Sequence, residues 1–230
     1  ELLESGKFSV TAEINPPKGV GIEDILSKAD TLLGSVDAIN LTDHQSAVMG
    51  MSPIALASLL LQRNVEVILQ VTCRDRNRIA IQGDLLGASA LGVENILCMT
   101  GDPVGTGDHP DAKMVFDLDS IGLIGAASSL MRGKDMGNNS LQESPKFYIG
   151  AVVNPAASEL ADEIIRMEDK IEAGARFFQT QAIFDPTQLE EFMAIVRHTG
   201  VPILAGIIIL KSGNMARNLN LRLPGVHVPD

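Results

Sequence analysis

Short apolar segments alternate with helix-period segments along almost the whole chain, and this alternation restricts the possible folds more than any other feature. The predicted strands cover residues 8–14, 38–43, 65–73, 95–101, 147–154, 177–183 and 203–210; the predicted helices cover 22–33, 53–63, 76–91, 119–132, 159–173, 186–198 and 212–221. The strands are mostly apolar throughout, which is typical of a parallel sheet covered on both faces. Strand and helix repeated in this order favour an α/β fold of the (β/α)8 TIM barrel type.

An open, doubly wound sheet is the alternative arrangement. Its glycine-rich dinucleotide turn is missing after the first strand, where residues 13–19 read EINPPKG, with prolines in place of the required glycines. No eighth β/α unit follows the seventh predicted helix. We therefore expect one domain over residues 1–230, a barrel whose last β/α unit is absent from this chain.

The chain is acidic, with 29 Asp and Glu residues against 18 Lys and Arg residues and a net charge of −11. This charge and the lack of basic runs argue against nucleic acid or an anionic membrane surface as a partner. Cys73 and Cys98 lie inside apolar strands without metal-ligand spacing, which predicts reduced core thiols in a cytoplasmic protein and no metal site. No apolar segment is long enough to span a bilayer.

Polar side chains stand where the predicted strands end. Because active sites of such barrels lie at the C-terminal strand ends, these residues are candidates for a binding site. They are Glu13, Thr42, Asp43, His44, Gln70, Thr100, Gly101, Asp102, Asn154, Gln181, Lys211 and Ser212. Acids and amides in this set are suited to hydrogen bonds with a heterocycle.

Five segments, in chain order, resemble the motifs of methylenetetrahydrofolate reductases. They are VTAEINPPKG, QVTCRDRN, LCMTGDP, GAVVNP and KIEAGARFFQTQAIFD, within a resemblance that runs from about Phe8 to Pro229. Residues 73–102 and 116–124 look most like the branch found in acetogenic and related anaerobic bacteria or fused to methyltransferases. The resemblance implies a flavin-binding barrel that reduces 5,10-methylenetetrahydrofolate to 5-methyltetrahydrofolate, with the hydride coming from reduced flavin.

The resemblance also implies cofactors and partners. FAD is the expected flavin with FMN as the alternative, and NAD(P)H or another reduced electron carrier is the donor. A tetrahydrofolate derivative from one-carbon metabolism and methionine biosynthesis is the expected ligand, in a homo- or hetero-oligomer that an iron–sulfur subunit could join. Two other functions stay open: a flavin-free folate- or pterin-binding barrel of a methyltransferase system, and a partner-dependent subunit of an electron-transfer complex.

Two acids receive catalytic roles from the resemblance. Glu13 is the implied general acid, which helps to protonate the substrate so that its imidazolidine ring opens to an iminium; this requires a raised pKa, which burial can supply. Asp102 is the implied partner of the pterin's amino-pyrimidine side and of the flavin. The ordinary structural alternatives are an ion pair with Lys18 for Glu13 and a turn or helix cap for Asp102.

The other implied contacts are polar or basic. Gln181 would bind the pterin through its amide, with a satisfied amide inside the barrel as the alternative. Lys170 would contact the flavin phosphate with Arg166 one turn earlier, and a solvated helix face is their alternative. The remaining implied flavin contacts are Thr42, Gln70, Thr100, Gly101, Asp102 and Asn154. Better-known bacterial members of the family have His at Gln70, Arg at Thr100 and an aromatic residue near Asn154.

Overall fold

The computed structural model describes residues 2–222 and 228–229. Its seven strands form one parallel sheet in chain order. They are β1 (Thr11–Ile14), β2 (Ala38–Leu41), β3 (Val67–Thr72), β4 (Asn95–Met99), β5 (Tyr148–Val153), β6 (Phe177–Ala182) and β7 (Ile203–Gly206). The helices are α1 (Glu23–Leu32), α2 (Pro53–Leu61), α3 (Arg78–Ala90), α4 (Ser120–Met131), α5 (Leu160–Ala173), α6 (Pro186–Val196) and α7 (Gly213–Arg222). The predicted parallel α/β arrangement is confirmed.

Capping side chains explain where several helices begin. The Asn77 side chain accepts hydrogen bonds from the backbone N–H groups of Ile79 and Ala80 at the start of α3. Asp119 caps α4 in the same way, and Asp185 caps α6 with a proline in its first turn. These side chains satisfy N–H groups that have no partner within their helix.

The sheet has two apolar faces. Its outer face packs against the helices in the larger core cluster, which includes Ile39, Leu69 and Ile96. Its inner face carries a smaller cluster of Ala38, Ile68, Leu97 and Phe177, contributed by β2, β3, β4 and β6. Because residues of strands so far apart in the sheet order pack together, the sheet must curl around them.

The inner face is apolar at one end and polar at the other. Tyr148 and Phe177 stack with ring centroids 5.3 Å apart, and Gly150 leaves the space that the Phe177 ring occupies. Leu3, from a short 3-10 helix at the start of the chain, packs against the same cluster. At the C-terminal strand ends, Glu13 and Gln70 follow on the inner face. The polar groups therefore collect at one rim, which we call the mouth: the C-terminal strand ends and the loops that follow them.

The outer edges of β1 and β7 have no strand partner in the described part of the chain. Both strands are shorter than predicted, since residues 8–10 and 207–210 lie outside them. Phe8, Ile207 and Ile209 are 93%, 78% and 80% exposed, beside a cavity of about 1240 Å³. The sequence prediction is wrong for these residues because an apolar pattern extends a strand only where a neighbour supplies hydrogen bonds.

Candidate functional site

Glu13 reaches the mouth from β1 and carries a neutral amide on each carboxylate oxygen. The Gln70 Nε2–H donates to Oε2 over 3.2 Å, and the Gln45 Nε2–H donates to Oε1 over 3.2 Å. Glu13 is exposed at the open end of β1, but the strand ends around its carboxyl group partly desolvate it and raise its pKa, while the two amide hydrogen bonds act in the opposite direction. Lys18 pairs with Asp108, so the alternative of a Glu13–Lys18 ion pair is not observed.

Asp102 follows β4 and bridges two loops. Its Oδ2 accepts a hydrogen bond from the Ser46 N–H over 3.1 Å, and its backbone carbonyl accepts one from the Arg74 guanidinium over 3.2 Å. Gly101 has a φ of +97°, and a Cβ there would lie 3.0 Å from the Thr72 Cβ. The backbone thus turns sharply in a narrow space, which only glycine permits without strain. Asp102 acts here as a link between loops rather than as a helix cap.

The loop between β2 and α2, residues 42–52 (the β2 loop), is tied down by its neighbours. Three of its non-glycine residues have left-handed backbone conformations: His44, Ser46 and Ala47, with φ of 50°, 52° and 57°. Such conformations persist only where surrounding contacts over-determine them. Here the contacts include Asp102 on the Ser46 amide and the hydroxyl of Thr106, which lies 2.7 Å from the Pro103 carbonyl and 3.3 Å from the Ser46 carbonyl and can donate to either.

Arg74 is the main site residue that the sequence analysis misses. It is 2% exposed, and its guanidinium donates to the backbone carbonyls of Asp102 (3.2 Å) and His44 (3.3 Å). It also forms a bidentate pair with the Asp75 carboxylate at 2.9 and 2.7 Å. One buried cation therefore fixes the loops after β2 and β4. Its place directly after an apolar strand, in CRDRN, is the only sequence signal.

A second buried network lies beside Arg74. Asp43, 2% exposed, accepts hydrogen bonds from the Thr72 N–H and hydroxyl at 2.8 and 2.9 Å and pairs with Arg76. Burial alone would lower the pKa of Arg76, but the carboxylates of Asp43 and Asp84 outweigh it and raise that pKa. The predicted rim residue Asp43 is thus buried after β2, where its carboxylate is held by Thr72 at the end of β3 and by Arg76.

Asp108 connects three loops of the mouth. Its carboxylate pairs with Lys18 of the loop after β1, accepts the Met49 N–H of the β2 loop over 3.0 Å, and contacts the His109 ring over 2.8 Å. These hydrogen bonds, with that of Lys18 the strongest, hold the pKa of Asp108 well below its usual range. The sequence shows no periodic signal for this residue, because its partners come from distant parts of the chain.

The β5–β6 side of the mouth contains the other predicted residues. Asn154 directly follows β5, where its N–H donates to Glu163 over 2.8 Å. Gln181 is exposed near the end of β6 without a side-chain hydrogen bond among the described residues. Arg166 is exposed on α5. Lys170 is 4% exposed, and its ammonium donates to the Val152 carbonyl over 2.7 Å behind the sheet. The structure does not bring Lys170 to the mouth.

An open cleft lies at the mouth. Between the β2 loop, the loop after β4 and α7 lies a cleft of about 850 Å³ lined by Ser46, Thr106, Ser212 and Asn214, among others. Thr100 and Gly101 lie at the nearby end of β4, where the Thr100 hydroxyl accepts the Ser120 N–H over 3.3 Å and keeps its own proton to donate. Thr42 is 1% exposed and donates to the Asn15 side chain over 3.1 Å. None of the predicted flavin contacts lines this cleft.

Among the described residues, no cluster of three or more His, Cys, Asp and Glu side chains is placed to hold a metal ion. Cys73 and Cys98 are buried and unpaired, and burial raises the pKa of the Cys73 thiol to about 12. No helix within residues 2–222 is both long and apolar enough to cross a membrane.

Sequence comparison identifies a family for the whole chain. The family model described as methylenetetrahydrofolate reductase matches residues 1–230. The chain is 25% identical over 239 residues to methylenetetrahydrofolate reductase 2 of Schizosaccharomyces pombe, with 99% of this chain and 36% of that protein aligned. It is 28% identical over 220 residues to a probable NADPH-dependent methylenetetrahydrofolate reductase of Caenorhabditis elegans, covering 90% and 31%. The chain thus spans about a third of these relatives.

Solved structures share the fold. A Clostridium thermocellum protein described as binding two copies of 5-methyl-5,6,7,8-tetrahydrofolic acid superposes with a TM-score of 0.66 at 14% identity, covering 99% of this chain and 75% of that one. A 2,3-dimethylmalate lyase superposes with a TM-score of 0.59 at 15% identity, covering 96% and 76%. At these identities the likeness concerns the fold alone.

Proposed function

Because this chain belongs to the methylenetetrahydrofolate reductase family, we propose that it reduces 5,10-methylenetetrahydrofolate to 5-methyltetrahydrofolate at the mouth of the curled sheet. The observation that carries this proposal is the carboxyl group of Glu13 at the end of β1, whose two oxygens each accept a hydrogen bond from a glutamine amide. Methyltetrahydrofolate bound by the C. thermocellum neighbour supports a folate ligand for the same fold.

Glu13 is the proposed general acid. A carboxyl group with a raised pKa keeps its proton at a higher pH than a solvated one, and can deliver it to a ring nitrogen of the substrate's imidazolidine. Protonation opens that ring to an iminium, which accepts a hydride. General acids of this kind contribute about 10²- to 10⁴-fold to the rate.

Asp102 and Gln181 are the proposed contacts of the pterin. Asp102 uses Oδ2 for the Ser46 amide, so its second oxygen remains to accept an N–H from the amino-pyrimidine edge. Gln181, exposed near the end of β6, offers both a donor and an acceptor. Together they would fix the orientation of the ring that Glu13 protonates.

The proposed cofactor is FAD, with FMN as the alternative, and it supplies the hydride when bound. Thr42, Gln70, Thr100, Gly101, Asp102 and Asn154 are the proposed contacts of its ring system. Arg166 is the exposed cation available for its phosphate; Lys170 could serve only if its ammonium left the Val152 carbonyl. The electron donor is proposed to be NAD(P)H or another reduced carrier.

We also propose that the chain acts as one flavin-binding barrel domain. The exposed apolar side chains of Phe8, Ile207 and Ile209 lie at the open edge between β1 and β7. An eighth β/α unit would pair with both strands there and bury these side chains, closing the barrel. Association with a further copy or with an iron–sulfur subunit belongs to the same proposal.

Identification of the bound cofactor tests the proposed function most directly. The purified protein should release a flavin on denaturation, and anaerobic 5-methyltetrahydrofolate should bleach its absorbance by driving the reaction backwards. A colourless protein that cannot be reconstituted yet binds 5-methyltetrahydrofolate would favour a flavin-free methyltransferase barrel. Turnover that appears only with an added iron–sulfur subunit would favour the electron-transfer complex.

A further inference from the structure

Both oxygens of the Glu13 carboxylate are contacted by glutamine amides from separate elements. Gln70, only 6% exposed, approaches from β3. Gln45 approaches from the β2 loop, where it is exposed to solvent. Two neutral amides differ from the usual partner of a strand-end carboxylate, a lysine or arginine, because they orient the group without a full opposing charge.

An amide pair can serve both protonation states of a carboxyl group. The ionised form accepts one N–H on each oxygen, as the structure shows. After protonation, rotation of one amide by half a turn presents its carbonyl oxygen to the new O–H, while the other amide keeps donating. An arginine or lysine has no acceptor and could not make this exchange. The pair therefore suits a group that must gain and lose a proton.

The β2 loop fixes the position of Gln45 through its backbone. Gln45 stands between His44, with a φ of 50°, and Ser46, with a φ of 52°. The His44 carbonyl is bound by the Arg74 guanidinium and the Ser46 N–H by Asp102. Hydrogen bonds thus fix the backbone on both sides of Gln45. The backbone position of Gln45 is therefore defined, although its side chain is exposed.

We propose that Gln45 and Gln70 are positioning residues for Glu13, which orient its carboxyl group in both protonation states during the reaction. This proposal rests on the proposed function, because it assumes that Glu13 is the general acid. The more buried Gln70 sets the plane of the carboxyl group, and the exposed Gln45 is the amide with room to rotate.

The other titratable groups near Glu13 are engaged elsewhere. In the β2 loop, the His44 Nδ1 accepts the Gly50 N–H over 3.3 Å, and Asp43 binds Thr72 and Arg76. After β4, Asp102 accepts the Ser46 N–H. From the adjacent β2 strand, Glu13 is paired in register with the neutral Asn40. A change at either glutamine should therefore reach Glu13 without passing through another of these titratable groups.

The test measures the pKa of Glu13 in the free protein by carbon-13 NMR of labelled glutamate, assigned through the loss of its signal in Glu13→Gln. Gln45→Met and Gln70→Met keep side-chain length but remove the N–H donor. Each should raise the measured pKa, and the double variant should raise it further. Gln45→Glu should raise it most among the single variants, through like-charge repulsion. Gln62→Met, in an exposed glutamine at the end of α2, is the matched control and should leave it unchanged.

Turnover supplies the second measurement. In the double variant kcat should fall by roughly tenfold to a hundredfold, and the alkaline limb of its pH profile should move to higher pH, because a general acid with a raised pKa stays protonated longer. An unchanged pKa of Glu13 in Gln45→Met and Gln70→Met would overturn the proposal, whatever the loss of turnover. If the variants raise the pKa of Glu13 but the unmodified protein shows no folate turnover, the positioning role of the two glutamines stands and the proposed function is wrong.

Discussion

At the scale of single residues, the loops of the site are held by charged groups, among which Arg74 has both backbone and side-chain partners. Arg74 is 2% exposed and binds two carbonyls and one carboxylate. The guanidinium donates hydrogen bonds to these groups, which would otherwise be desolvated without a partner. Since Asp102 and the β2 loop both depend on it, Arg74 connects the stability of the mouth to its geometry.

Replacement of Arg74 by methionine should destabilise the protein by about 2 to 4 kcal/mol, because the buried guanidinium is the donor to the His44 and Asp102 carbonyls and to the Asp75 carboxylate. Urea unfolding followed by circular dichroism measures the loss. The control is Arg63→Met, whose pair with Asp30 lies at the surface at 3.2 Å and should contribute at most about 1 kcal/mol. Equal losses in the two variants would contradict the role of Arg74.

Glu13→Gln should keep flavin binding and flavin reduction but lose about 10²- to 10⁴-fold in folate turnover, because the amide cannot donate the proton that opens the ring. Glutamine has nearly the same size, so the fold should not change. Separate stopped-flow measurements of flavin reduction and of folate reduction distinguish the two half-reactions. Folate turnover near that of the unmodified protein would remove Glu13 from the acid role.

Asp102→Asn should weaken folate binding and make the flavin easier to reduce, because a negative charge beside the cofactor disfavours its anionic reduced form. Asparagine can still accept the hydrogen bond from Ser46 through its carbonyl oxygen, so the loop contact survives. Potentiometric titration of the bound flavin and a folate dissociation constant measure the two effects. A flavin potential equal to that of the unmodified protein would count against the charge argument.

At the scale of elements, the curled sheet requires particular side chains inside it. Gly150 of β5 lies where any Cβ would overlap the Phe177 ring, which itself stacks on Tyr148. The glycine is therefore needed for packing between β5 and β6 rather than for backbone freedom. Strand patterns in the sequence show that this segment is buried but not which of its residues meets an aromatic ring.

Gly150→Ala should destabilise the protein by about 1 to 3 kcal/mol, because the methyl group forces the Phe177 ring from its place. The control is Gly87→Ala in α3, where a Cβ would meet nothing within 4 Å; this change should stabilise the protein by about 0.4 to 1 kcal/mol. Thermal unfolding of both variants gives the comparison. A Gly150→Ala protein as stable as the parent would show that the inner cluster repacks freely.

At the scale of the whole molecule, the loops of the mouth are joined to one another by ion pairs and hydrogen bonds. Asp108 contacts Lys18, Met49 and His109, and so links the loops after β1, β2 and β4. Its pKa is depressed in the folded protein. A carboxylate with a depressed folded pKa contributes stability that is present above its unfolded pKa and is lost as the pH falls through the folded value.

The contribution of Asp108 should therefore be complete above about pH 5 and decline as the pH falls below the ordinary value of 3.8. Asp108→Asn should lower the midpoint of thermal unfolding at pH 6, and the difference from the unmodified protein should shrink toward pH 2. The control is Asp111→Asn, which removes the same charge from the same loop. Asp111 is exposed, and its side chain forms no hydrogen bond in the described part of the chain. A difference at Asp108 that does not depend on pH would contradict this account.

The sequence by itself determined the order of strands and helices, the parallel sheet and the polar strand ends. Apolar periodicity and capping residues are local, so segments such as 95–101 and 119–132 could be located before the structure. The placement of Glu13, Gln70 and Asp102 at one rim also followed, because the C-terminal ends of parallel strands share an edge.

Only the tertiary structure decided which partners these residues have. Gln45 meets Glu13 across 32 positions of sequence, and Lys18 meets Asp108 across 90. Lys170 lies behind the sheet because it stands on the face of α5 that packs against the strands. Arg74 is buried, although arginine is usually exposed. Hydrogen bonds between loops depend on how the sheet curls, and no local pattern in the sequence encodes that geometry.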